Sequence, residues 1–239
     1  MGLATRFPAW RKVPEFTVFA SLLRMTTKYG FSNIREQFID SIKDAYPTKW
    51  EGHGNAETLG EDVFGSPKPH PNAVMNLFVE QSVKFALPFA AYRAALGGFS
   101  SLTSDEPGTI LPRLTLASTI RGMEEIRGGL SKLVHLVVCN IISEGCCDGA
   151  RAVNRGLRSP ERRMEALKKI YEVRVGEGKG DVLFSHSFGN IVCVNCEKIQ
   201  EQAYHLWRTI TWEQLPRIFR VGESWEEVML TARTGRMER

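Results

Sequence analysis

The sequence predicts a mainly α-helical fold, and three observations carry the prediction. Apolar residues recur at helical spacing from Phe16 to Tyr46 and again from Asn72 to Gly97. Residues that open and close helices stand at the ends of these stripes. The regular alternation of strand and helix patterns that a doubly wound sheet needs is missing. With 43% apolar residues, the 239-residue chain can bury one large core or two modest ones.

The first helix is read from "FTVFASLLRMTTKYG", where Phe16, Phe19, Leu22, Leu23 and Thr26 share one face and Gly30 is placed to end the run. A second helix follows at once. Asn33 and Glu36 have capping-box spacing, Ile34, Phe38 and Ile42 recur every four residues, and Pro47 closes the segment. So short a connection makes the two helices a hairpin, with Phe31 sealing the join.

From Thr48 to Pro71 the composition turns to Gly, Pro, His and acidic residues, which reads as an exposed loop. Its His53 and His70 lack a metal-ligand spacing and are read as solvated. Val74, Leu77, Phe78, Gln81 and Phe85 then form one helical stripe. Leu87-Pro88 is expected to break it, and Phe89 to Leu96 to form a short helix ended by Gly97-Gly98.

After a linker from Phe99 to Pro112 comes a Gly-interrupted stretch from Leu114 on. The apolar run Leu133 to Ile142 is interrupted by His135 and Asn140 and is about half the ~20 residues of a membrane span, so it reads as a buried helix or strand. Ser159-Pro160-Glu161 opens a further helix, with Ser as cap and Pro in the first turn. Trp207, Trp212, Phe219 and Trp225 fit two short amphipathic helices broken by Pro216, a core seam rather than a ligand cage.

The net charge of +4 comes from 31 basic residues scattered among 27 acidic ones, which argues against a nucleic-acid partner. Even "RSPERRMEALKK", with Arg162, Arg163, Lys168 and Lys169, is diluted by Glu161 and Glu165 into a solvated face. "MGLATRFPAW" lacks the apolar centre of a signal peptide, so an intracellular location and no membrane association are expected. Five cysteines in such a compartment point to reduced thiols or a metal site, not to a disulfide framework.

One stretch, "GDVLFSHSFGNIVCVNC", carries two chemical signals. Ser187 stands near the pattern of a hydrolase elbow, which needs a strand before it, a helix after it and a later acid and His. Only His205 follows, and Cys193-x-x-Cys196 sits where the elbow helix would run, so the resemblance to an elbow reads as accidental. The cysteines make the better site. Cys193 and Cys196 can point two thiolates at one zinc ion, and Cys146 and Cys147 offer more from a distant segment, with His186 or Cys139 able to complete four. Against zinc, free buried Cys behaves as a small hydrophobe.

The string "FASLLRMTTKYGFSNIREQFIDSIKDAYPT" resembles the helix pair near the end of the BTB/POZ domain, in the version found in a large group of basidiomycete fungal proteins. The matching residues are Leu22, Leu23, Lys28, Tyr29, Ala45, Pro47 and Thr48. "FVEQSVKFALPFAAYRAA" resembles the same group's helix-break-helix. The end of the chain is similar to its closing pattern at Cys193, Cys196, Trp212, Leu215, Pro216, Phe219, Trp225, Glu226 and Glu227. Only about fifteen residues precede the helix pair, so the strand-rich first half of such a domain is expected to be missing.

The resemblance implies a helical second half of a BTB/POZ-like domain over residues 1–105, followed by a helical Cys-containing region over 106–239. It implies a non-enzymatic module that acts through an unidentified protein partner, with homodimerisation through the BTB-like region a property of the family. With the strand-rich half absent, the outer face of the first helix pair is expected to stand open, with Phe19, Leu22, Leu23, Tyr29 and Phe38 as its interface residues. The alternatives are a small zinc-stabilised structural module built on Cys146, Cys147, Cys193 and Cys196 and, with less behind it, a serine hydrolase with Ser187 as nucleophile.

Overall fold

Both strong apolar stripes form helices in the computed structural model, which describes residues 15–50, 64, 67–143 and 194–234. Among the described residues the regular structure is helical, with no strand, as a mainly α fold requires. The chain divides into two compact units, one formed by residues 1–122 with 213–239 and the other by 123–212. The boundary expected at 105/106 thus falls inside the first unit, which also takes in the chain's last segment.

In the first unit, α1 (Phe16–Lys28) and α2 (Ser32–Ala45) form the expected hairpin. Gly30 ends α1 at φ +69°, in the left-handed region, and the Phe31 N–H reaches back to the Thr26 carbonyl at 2.9 Å. The expected Asn33–Glu36 capping box is not formed. Phe31 occupies the cap position of α2 without a side-chain bond, because the turn is too short to leave Asn33 outside the helix. Phe19 packs edge-to-face on Phe38 at 5.0 Å and on Phe64 at 5.1 Å, each pair contributing about 1 kcal/mol beyond its burial.

The next stripe divides earlier than its prolines suggest. Helix α3 (Pro71–Glu80) ends before a turn in which Ser82, not a glycine, takes φ +55°. The Ser82 and Val83 N–H groups bond back to Val79 and Phe78 at 3.2 and 2.8 Å. A single 3-10 turn (Lys84–Ala86) leads into α4 (Leu87–Leu96), where Pro88 lies in the first turn and so opens this helix rather than breaking the one before. Tyr46 sits edge-on to Phe78 and Phe89, at 4.8 and 5.8 Å. Burial pushes its phenol far above the ordinary tyrosine range, against the pull of the nearby Arg93 charge.

Helix α5 (Gly98–Leu102) and the loop after it are tied to α3 by two asparagines one turn apart. The buried Asn72 side chain donates to the Ser101 carbonyl at 2.9 Å, and Asn76 donates to the Gly108 and Ile110 carbonyls at 3.0 and 2.9 Å.

Helix α6 (Arg113–Ser143) is one continuous helix of 31 residues, about 45 Å long, despite three glycines inside it. The stretch that reads as Gly-interrupted and the apolar run from Leu133 are therefore parts of one element. Two of the glycines leave room for aromatic neighbours. A Cβ on Gly122 would overlap the Phe219 ring, and one on Gly129 would come within 3.2 Å of Trp207 Nε1.

Helix α7 (Val194–Ile218) likewise runs through Pro216, which lies inside its last turn and ends nothing. It stops when Arg220 takes φ +58°, with the Val221 and Arg220 N–H groups bonded to Pro216 and Arg217 at 2.8 and 3.1 Å. Helix α8 (Trp225–Thr234) then packs on the 3-10 turn, burying Trp225 and Val228 and closing the first unit.

Within the second unit, Met123, Ile126, Leu130 and Leu133 form a buried stripe of α6 at helical spacing. On α7, Tyr204 and Trp212 are buried, the Tyr204 and Trp207 rings stack at 5.8 Å, and the Arg208 guanidinium lies 5.0 Å from the Tyr204 ring centre. Of the four residues of the expected seam, Trp212, Phe219 and Trp225 are core residues of their own units, while Trp207 is half-buried. Among the described residues, no helix is long and apolar enough to cross a membrane.

Candidate interaction surface

Helix α1 has two apolar sides. The first, Phe19, Ala20, Leu23 and Thr26, is buried in the unit's core. The second faces solvent, with Val18 45%, Met25 50% and Tyr29 60% exposed and Leu22 half-buried among them. Val18, Leu22, Met25 and Tyr29 are spaced four, three and four residues apart, which sets them on one side of the helix. The turn and the start of α2 extend the stripe through Phe31 and Ile34, 53% and 48% exposed. The Tyr29 and Phe31 rings are 6.2 Å apart, and Lys28 Nζ lies 5.5 Å from the centre of the Tyr29 ring. Singly exposed apolar residues are ordinary, so what sets this segment apart is that five of them fall on one helical hairpin.

Charged groups fix the hairpin in place beneath the stripe. Arg24 Nε donates to both Glu80 carboxylate oxygens at 2.9 Å, and Nη2 donates to one of them at 2.7 Å. The hydrogen bond to Glu80 raises the Arg24 guanidinium above its ordinary range, and the same bond holds the Glu80 carboxyl below the usual carboxylate range. Arg35 adds a second brace, donating from Nε to Thr27 Oγ1 at 3.1 Å and from Nη2 to the Gln81 carbonyl at 3.2 Å. These bonds join α1, α2 and the end of α3.

Of the expected interface residues, Tyr29 stands on this surface and Leu22 lies at its inner edge. Phe19, Leu23 and Phe38 do not. Their side chains are buried, because the hairpin closes on itself and on Phe64 instead of leaving that face open. Val18, Met25, Phe31 and Ile34, exposed on the same hairpin, lie outside the expected set. A second apolar track along α1, offset from the first, was the signal in the sequence that could have found them.

The candidate metal ligands Cys146, Cys147 and Cys193 lie outside the described residues, as do Ser187, His186 and His53. Cys196 falls in the first turn of α7 and Cys139 in α6, and the surroundings of their side chains lie outside what is described. Among the described residues, no group of three His, Cys, Asp or Glu side chains is placed to hold a metal ion.

His70, read as a solvated loop residue, is instead the cap of α3. Its Nδ1 accepts from the Asn72 N–H at 3.2 Å, while Nε2 lies 3.2 Å from Ser101 Oγ. With Nδ1 accepting, the proton of the neutral ring is on Nε2, which donates to the serine. A base that activates a serine must accept at that position, so this Ser–His contact acts as a brace between α3 and α5.

No protein-family model, curated protein or solved structure matches the chain.

Proposed function

We propose that this chain is a non-enzymatic protein–protein interaction module of BTB/POZ type, working inside the cell through a protein partner. The observation that carries the reading is the solvent-facing apolar stripe of Val18, Met25, Tyr29, Phe31 and Ile34, held on a hairpin braced by Arg24–Glu80 and Arg35. Burying such a stripe is worth about 25 cal/mol per Å² of apolar surface, which gives a partner a reason to bind there. The "LLRMTTKYG" helix and its successor, which carry the resemblance to the end of a BTB/POZ domain, are the two helices that bear the stripe.

The test is a triple variant, Met25→Ser, Tyr29→Ser and Phe31→Ser, compared with the unaltered full chain by quantitative affinity purification and by light scattering. The reading expects a defined protein, or a second copy of the chain, to be retained by the unaltered protein and lost from the variant while helical circular dichroism is unchanged. Identical partner sets and identical mass for the two would overturn it.

A further inference from the structure

We draw no further inference here: the strongest candidate, the solvent-facing apolar stripe along α1 and into the turn to α2, belongs to the surface already described, and nothing in the structure shows what covers it.

Discussion

The Phe219 ring lies against the backbone of Gly122 so closely that a single methyl group on Gly122 would overlap it. Phe219 is itself buried and cannot swing clear. Gly122→Ala is therefore expected to destabilise the first unit by about 1–3 kcal/mol, the usual cost of overpacking, outweighing the gain in helix propensity. Gly128→Ala is the control. Nothing lies within 4 Å of its Cβ position, so that variant should gain about 0.5–1 kcal/mol. Chemical denaturation of the two variants checks the pair, and equal effects would show that the close approach is unimportant.

Two helix ends place a residue with a side chain where glycine is favoured, Ser82 after α3 and Arg220 after α7. The left-handed conformation costs a residue with a Cβ roughly 1–2 kcal/mol. Ser82→Gly and Arg220→Gly should each raise the stability of the first unit by about 1 kcal/mol, less what glycine adds to the unfolded chain's freedom. Thermal melts are the measurement. A lower Tm in both would argue that those side chains make contacts worth more than the strain.

The closing "SWEE" sequence is a helix cap. Ser224 Oγ accepts from the Glu227 N–H at 3.2 Å, and the Glu227 carboxylate reaches back to the Glu223 N–H at 2.6 Å. Ser224→Ala should cost about 1 kcal/mol, and Ser224→Asp should restore most of it. Hydrogen exchange at the first turn of α8 reads the effect directly, as faster exchange in the alanine variant alone.

The Arg24–Glu80 pair sets a pH window. Because Arg24 lowers the Glu80 carboxyl below its unfolded value, the pair's contribution is fully present above about pH 4.3 and is lost as the pH falls through the lower folded value. Both side chains are 48% exposed, so the contribution is at most about 1 kcal/mol and shrinks with added salt. A double-mutant cycle with Arg24→Gln and Glu80→Gln should give that coupling at pH 7 in dilute buffer and a diminishing one as the pH falls through the lowered Glu80 value.

Stability should separate the two sides of α1. Leu23→Ala, on the buried side, is expected to cost about 2–5 kcal/mol. Met25→Ser and Phe31→Ser, on the exposed side, should change stability by less than about 0.5 kcal/mol. Urea midpoints of the three single variants distinguish them, and a large loss in the exposed pair would make the stripe part of the fold.

The parts of this fold that could be read in advance are those where one residue type has one physical reason to stand there. Gly30 is legible because a left-handed turn favours glycine, and Pro47 because it cannot continue a helix. The same logic misplaced two boundaries. Ser82 and Arg220 fill left-handed positions without announcing it, so the breaks were sought at Leu87-Pro88 and Pro216, and both prolines lie inside helices. In α6, Gly122 and Gly129 look like interruptions until Phe219 and Trp207 are seen beside them, contacts from residues nearly a hundred and about eighty positions away. The candidate surface was half legible for a related reason. Periodicity identifies which residues share a side of α1, but which of two apolar sides meets the core depends on Phe38 and Phe64, set by tertiary packing.

The first unit joins residues 1–122 to residues 213–239, with Trp225 and Val228 of α8 buried in it. On the ribosome its first segment emerges well before its last. At about 5–20 residues per second, the 90 residues of the second unit alone delay completion by several seconds. During that interval the surface of the 3-10 turn that α8 later covers stands bare. Nascent chains of this protein are thus expected to draw chaperones until α8 has emerged and packed, and slower elongation after residue 122 should lengthen that engagement.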